Sequence, residues 1–331
     1  YNGSRKVWGL DCNWKSHARK PDYIWKLTAP HKVYRVTLAD GRNIEVTRNT
    51  KLLCTENASF VWKKAGDIRQ DDFVALPTKT TSLRELPYFI DVAPPELTLH
   101  DVSEHVQRIK SLLKSKYGSV RKAARVLGIN ENNLYHTWVR PDARGRISLK
   151  DFKRLAEDVG YAWKDKISRV SLRNGNVFTL PSKPSKEFFY ILGLLMGDGD
   201  MRLKPGGSCP VRLSNRNKGL HEAFRAYLDT WDIGYDVQPG SGRRPMATRC
   251  SNTTFAQCLI GFGMEESPKN NLQVHSLVRT APQECVSAFL AGLYDSDGSV
   301  TIRNVDSKGR ETIEFYSTCE SLTRGVQDVL E

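Results

Sequence analysis

At 331 residues, with 39% hydrophobic and 26% charged side chains, the chain is neither a fibre nor a disordered polymer and has mass for two or three domains. The 50 Lys+Arg against 37 Asp+Glu leave a formal +13, which makes a polyanion the first partner class to consider. No run approaches the roughly 20 consecutive apolar residues of a bilayer span. Cys12, Cys54, Cys209, Cys250, Cys258, Cys285 and Cys319 are scattered, odd in number and never spaced as zinc pairs, so a soluble, reduced, cytoplasmic protein is expected.

The opening third reads as short strands. His31 to Leu38 and Asn43 to Thr47 flank Ala39-Asp40-Gly41, a hairpin signal between β-rich runs. Trp62, Ala65, Ile68, Phe73, Val74 and Leu76 are expected as apolar anchors before Pro77, and the stretch through Ser82 reads as a linker. From Val102 the period changes: Val102, Val106, Ile109, Leu112 and Leu113 form the stripe of an amphipathic helix. In the next unit Ser119 is placed to cap a helix containing Ala123, Ala124 and Leu127, Gly128 to end it, and Asn130 to cap a second helix. This helix, tight turn, helix pattern puts Asn132, Asn133, Tyr135 and His136 early on the second helix, where a recognition helix meets base edges. Arg121, Lys122, Arg125, Arg140, Arg144 and Arg146 surround it, so this segment is a candidate DNA-binding module.

Beyond a short link around Ser182 to Ser185 lies an internal repeat. The nonamer from Ile191 to Gly199 aligns without gaps to that from Leu290 to Gly298, at a constant offset of 99 residues (193 to 292, 198 to 297). Glycine, leucine, aspartate and glycine are shared. Each nonamer closes a helical pattern, preceded by Pro184-Ser185 in the first copy and by a capping-box signal of Thr280 with Gln283 in the second. A glycine within a helix costs about 1 kcal/mol relative to alanine. Its recurrence at one register predicts close backbone approach of the two helices. Met201 and Leu203 then alternate with Arg202 and Lys204, and Val300 and Ile302 with Thr301 and Arg303, as two-faced strands do. The following strands place Val211, Leu213, Ile313 and Phe315 on one face and Arg212, Ser214, Glu314 and Tyr316 on the other. Two such sheets would form a saddle that fits a major groove.

The paired nonamers resemble the signature of LAGLIDADG homing endonucleases, as two motifs in a single chain. The resemblance implies an αββαββ pseudo-symmetric domain, a monomer with an internal pseudo-two-fold axis, whose motif helices pack together. It also implies that the acid at the eighth position of each motif, Asp198 and Asp297, binds divalent metal at the centre of a long double-stranded DNA site. Only that position is acidic in both copies, since the sixth is Met196 in one and Asp295 in the other. A carboxylate at a helix C-terminus faces the negative end of the helix dipole, and a second about 5 Å away adds roughly 3 kcal/mol of repulsion at an effective dielectric of about 20. Such acids want a cation, and Mg2+, with Mn2+ as an alternative, suits their hard oxygens. Gly197 and Ser296 join the two aspartates as candidate metal-site positions, and two or more ions are expected with DNA bound. The family also places a lysine near the centre, which Lys269 in Ser267-Pro268-Lys269 matches as a third catalytic candidate. A calcium-loop reading of Asp295-Ser296-Asp297-Gly298 fails for want of the third acid and the closing Glu.

The stretch from Gly41 to Leu53, with Trp62 and the run Asp72-Phe73-Val74-Ala75-Leu76-Pro77, resembles the middle of an intein splicing domain. Inteins often host such nucleases. Thr50 stands where the splicing motif has histidine three residues after Thr47, so the motif is degenerate. No Cys or Ser nucleophile opens the chain and no His-Asn pair closes it, so splicing by these residues alone is not expected. Only 33 residues follow Gly298, so a distal hairpin, a helix and the closing splicing strands are expected outside the chain. The organisation is therefore α+β and multi-domain: residues 1–82 a partial Hint-like β domain, 83–180 a linker and helix-turn-helix-like module, 181–331 the endonuclease with an incomplete second repeat. Site-specific double-strand cleavage of DNA is the function implied. A non-cleaving DNA-binding regulator and a splicing element with a decayed nuclease share the same residues.

Overall fold

The computed structural model describes the chain except residues 1–6, 11–15, 21–22, 24–32, 39–42, 57–58, 77–85, 141–144, 173–174, 205–207, 306–307 and 331; the side chains of 7–10, 16–19, 302–305 and 308–311 are also outside the described set. The expected turn at Ala39-Asp40-Gly41, the linker through Ser82, Arg144 and the side chain of Arg303 therefore lie outside the described residues. The chain divides into two compact units, Tyr1–Lys79 and Thr80–Glu331. Residues 83–180 and 181–331 thus share one unit.

The first unit is built from antiparallel strands: β1 (Val7–Leu10) with β2 (Ser16–Arg19), β3 (Tyr34–Thr37) with β4 (Asn43–Val46), and β5 (Lys51–Glu56) between β6 (Ser59–Lys64) and β7 (Phe73–Val74). The expected anchors behave unequally. Ala65 is buried, but Trp62 and Phe73 are 54% and 76% exposed and Leu76 is exposed as well. Alternation along the strand explains Trp62: it pairs with Leu53, one step out of phase with Cys54 and Val61, and Cys54 is the buried position of that ladder.

The second unit opens with a helical segment. Helix α1 (Phe89–Val92) is followed by β8 (Leu97–Leu99), α2 (Ser103–Tyr117) and α3 (Val120–Leu127). Val102, Val106, Ile109 and Leu113 are buried as their spacing predicts, whereas Leu112 falls off the stripe and is exposed. Ser119 accepts the Lys122 N–H and Gly128 takes the left-handed φ of 60° that ends α3. The next element is not a regular helix. After Asn130 accepts the Asn132 N–H, residues Asn133–Thr137 form a single π turn that buries Leu134 and, just beyond it, Trp138. A sheet that the sequence does not announce also lies here. Strands β9 (Ile147–Ser148), β10 (Arg169–Leu172) and β11 (Phe178–Thr179), with α4 (Leu149–Asp158) between β9 and β10, complete a four-stranded antiparallel sheet in the order β11-β10-β8-β9. Elements of two to four residues are too short to show a period.

The repeat occupies the remainder. Its first copy is α5 (Lys186–Asp198), β12 (Gly199–Met201), β13 (Val211–Asn215), α6 (Lys218–Asp229), β14 (Tyr235–Gln238), β15 (Met246–Cys250) and α7 (Thr253–Gly261), with sheet order β12-β13-β15-β14. The short α8 (Ser276–Arg279) leads into the second copy: α9 (Gln283–Asp297), β16 (Gly298–Val305), β17 (Lys308–Phe315) and α10 (Glu320–Leu330). Ser185 caps α5 through the Phe188 N–H, but α9 starts after Pro282 with no side-chain cap. Thr280 cannot serve there because its hydroxyl closes α8 by donating to the Ser276 carbonyl. Aromatic rings tie the helical segment to the repeat: Phe89 meets Phe188 edge-on at 4.8 Å and Trp231 at 5.1 Å.

Two strand expectations need correction. β12 stops at Met201, and Leu203, expected inward, is 50% exposed. The backbone there leaves the ladder: Ser267 N–H donates to the Met201 carbonyl, and Leu203 N–H donates to Glu266 Oε2. In the second copy Val300 and Ile313, directly opposite each other and expected inward, are 67% and 68% exposed. Their counterparts Met201 and Val211 are buried in a four-stranded sheet packed on α5 and α6, whereas β16 and β17 form a two-stranded ribbon.

Candidate functional site

Helices α5 and α9 make the most extensive contact between helices in the unit, and the glycines show why. A Cβ on Gly193 would run into the Phe289 carbonyl oxygen and lie 3.0 Å from Leu293 N; one on Gly292 would run into the Tyr190 carbonyl oxygen and crowd Leu194 N. The two sets of contacts map onto each other by the same 99-residue offset (190 to 289, 194 to 293), so the helices meet reciprocally, backbone on backbone. Their ends match too. Gly199 and Gly298 follow the last helical residue in extended backbone, and their N–H groups return to Leu195 O and Tyr294 O. Identical exits carry Asp198 and Asp297 to the same place. A Cβ on Gly197 would strike the Ser296 hydroxyl and lie 3.0 Å from Asp297 Oδ2, which puts the Asp297 carboxylate against the last turn of α5.

The acids feel each other. Burial first, and then the negative charge of Asp198, push the Asp297 carboxyl above its ordinary range, while Lys269 opposes the shift. Lys269 Nζ donates to the carbonyls of Leu195, Met196 and Gly197 at 3.3, 2.7 and 2.5 Å, which caps the carbonyl end of α5. Burial lowers its pKa against the pull of Asp297, Asp198 and Asp200. The loop carrying it is pinned to the end of β12 through Glu266 and Ser267, and Glu265 Oε2 accepts the Asn271 N–H.

Asn215 is a member of the site that the motifs do not point to. Its Nδ2 donates to Asp198 Oδ2 at 2.5 Å, and its Oδ1 accepts the Asn217 N–H. Behind it, fully buried His221 reaches the Asn215 carbonyl with Nε2 at 3.0 Å and Thr248 Oγ1 with Nδ1 at 2.9 Å. A carbonyl only accepts, so Nε2 carries the proton and Nδ1 accepts from the Thr248 hydroxyl. The sequence does hold one signal: Asn215 continues the inward row of Val211 and Leu213, where a polar residue calls for a partner. A second polar pair crosses the helix interface, where Tyr190 OH donates to Asp295 Oδ2 at 2.7 Å. The offset counterpart of that pair is Phe289 with Met196, both apolar.

Of the expected residues, Asp198, Asp297, Gly197, Ser296 and Lys269 come together. Ser296 Oγ, however, turns back to the Gly292 and Leu293 carbonyls, and Gly197 O is engaged by Lys269. Arg202, Lys204 and Tyr316 are exposed, Ser214 and Thr301 half-buried, and Arg212 is paired with Asp200 at 2.6 Å. Arg121, Lys122, Arg125, Asn132 and His136 are exposed and Asn133 half-buried; Arg121 pairs with Glu131, and Lys110 lies 4.3 Å over the Tyr135 ring. Thr47 and Thr50, in the first unit, share a hydroxyl hydrogen bond of 3.0 Å.

Among the described residues no group of three or more His, Cys, Asp or Glu side chains is placed to hold a metal ion. Mg2+ commonly takes one or two carboxylates, with waters and substrate phosphates completing its shell. Two coupled carboxylates therefore fit it, provided the substrate contributes oxygens. Among the described residues no helix is long and apolar enough to cross a membrane.

A LAGLIDADG-like domain is matched over residues 284–331, the segment that carries most of α9 and all of β16, β17 and α10. The chain is also similar to part of elongation factor 2 of Methanopyrus kandleri, at 23% identity over 94% of this chain and 24% of that protein. Reverse gyrase of Methanocaldococcus jannaschii is 22% identical over 93% of this chain and 17% of its own length. The glutamine–fructose-6-phosphate aminotransferase of the same organism is 22% identical over 83% and 25%. The chain thus spans about a quarter or less of the curated relatives it matches.

Proposed function

We propose that the chain is the nuclease-bearing part of an inserted element, a site-specific DNA endonuclease of the LAGLIDADG type. The observation that carries this reading is the reciprocal α5–α9 contact that delivers Asp198 and Asp297 to one acidic centre. Mg2+, when bound, supplies Lewis-acid polarisation of the scissile phosphate and a water of lowered pKa. The residues of the chain do the rest. Asp198, steadied by Asn215, and Asp297 present oxygens from the adjoining ends of the two helices, and Lys269 places positive charge beside them. Arg202 and Lys204 just past β12 and Arg212 on β13, with Arg121, Lys122 and Arg125 on the helical module, contact phosphates and give salt-dependent affinity. Ser214, Thr301 and Tyr316, with Asn132, Asn133 and His136, face the bases of a long duplex site. The chain acts as a monomer with internal pseudo-two-fold symmetry.

That elongation factor 2, reverse gyrase and an aminotransferase each match over only about a quarter or less of their length supports the insertion. Proteins with such different names share a segment more readily when it is a passenger than when it performs their chemistry. The first unit is then the remnant of a Hint-like splicing domain, with Thr50 in the histidine position. One observation favours a second reading, a DNA-binding regulator that does not cut: no third metal-ligating side chain joins the two aspartates among the described residues. A plasmid carrying the host gene without the insert decides between them. Linearisation in Mg2+, abolished by Asp198→Asn and by Asp297→Asn with DNA binding retained, is the expected result; binding with an intact plasmid would establish the regulator.

A further inference from the structure

The carbonyl end of α5 is served by a cation. An ammonium has three N–H donors and no acceptor. The bonds from Lys269 Nζ to Leu195, Met196 and Gly197 use that capacity fully, at 3.3, 2.7 and 2.5 Å. The loop is anchored on both sides of the lysine, with Ser267 N–H on the Met201 carbonyl and Asn271 N–H on Glu265 Oε2. The side chain is half-buried and carries its charge among Asp297, Asp198 and Asp200.

We propose that Lys269 is a tethered cation of the acidic centre, competing with a divalent ion for the oxygens at the end of α5. The proposal rests on reading Asp198 and Asp297 as a metal centre, though not on cleavage. Its chemistry is simple displacement. The carbonyls of Met196 and Gly197 and the neighbouring carboxylates are hard oxygen ligands that Mg2+ or Ca2+ prefers to take directly or through water. A +1 charge held 2.5 Å from one of them must withdraw before the ion enters.

Calorimetric titration of the full chain with Ca2+, without DNA, tests this. Lys269→Gln is expected to bind Ca2+ at least tenfold more tightly than wild type, and Lys269→Arg, which keeps the charge, to stay within a few-fold of it. Equal or weaker Ca2+ binding by the Gln variant overturns the proposal. A measurement on the unmutated chain guards against misfolding of the variant: reductive methylation with and without Mg2+, read by mass spectrometry. Labelling of Lys269 is expected to rise several-fold on adding Mg2+ while that of Lys204 holds constant; an unresponsive Lys269 overturns the proposal. A chain that passes both tests yet leaves host-gene DNA uncut loses the nuclease reading and keeps this one. A chain that cuts DNA with metal affinity indifferent to Lys269 does the reverse.

Discussion

Replacing Gly193 with alanine puts the helix interface to a quantitative test. By intrinsic propensity the change favours the helix by about 1 kcal/mol. The added Cβ, however, falls on the Phe289 carbonyl oxygen, far inside the 3.4 Å at which ordinary contact begins, with Leu293 N at 3.0 Å and Phe289 C at 3.1 Å. All three are backbone atoms of a 15-residue helix, so no side chain can swing aside. Relief requires α5 and α9 to part by roughly 1 Å, which loosens the close-packed seam along both. Overpacking a core costs about 1–3 kcal/mol, and a backbone clash belongs at the upper end. Net destabilisation of about 2 kcal/mol is expected, a fall in Tm of roughly 4–8 °C for a unit of this size. One separation of the helices relieves both clashes, so Gly193→Ala with Gly292→Ala should cost less than the sum of the single changes. Thermal and urea denaturation of the four proteins measures this. A Gly193→Ala protein as stable as wild type, or about 1 kcal/mol more stable as propensity alone predicts, would refute the close approach.

Two further outcomes follow from the residues around the acids. His221→Phe strands the Asn215 carbonyl and the Thr248 hydroxyl, and should cost about 1–3 kcal/mol in urea denaturation; it should also weaken Ca2+ binding, a readout that a purely structural role would leave unchanged. The Asp297 carboxyl titrates above its unfolded value, so the native state holds its proton longer than the unfolded chain and stability falls as pH rises through that window. Asp297→Asn should therefore melt higher than wild type at neutral pH, with the gain shrinking as pH drops through the raised native range and gone below the ordinary carboxylate pKa. A gain that stays constant down to about pH 3, below the usual carboxylate range, would contradict the assigned cause.

What the sequence made legible was whatever it wrote twice or wrote locally. Gly193 and Gly292, Asp198 and Asp297 pair by offset because both copies obey one steric demand, backbone against backbone. Ser119 and Gly128 are readable because a cap acts within three residues. The rest depends on partners distant in the chain. Asn215 bonds Asp198 across 17 residues, and His221 finds Thr248 across 27. Alternation in β16 and β17 separates the two faces but does not fix their burial, since burial depends on what packs behind Val300 and Ile313. The recognition helix expected after Asn130 is a π turn instead, with Leu134 and Trp138 buried.

The proposed nuclease chemistry requires that Asp198 and Asp297 form one centre. Mn2+ binding followed by electron paramagnetic resonance, on wild type and on the two single asparagine variants with duplex DNA present, addresses that directly. Loss of at least tenfold in Mn2+ affinity in each variant is expected, because each carboxylate serves the shared ions. Wild-type Mn2+ affinity in either variant would place the two aspartates in separate sites and contradict the account.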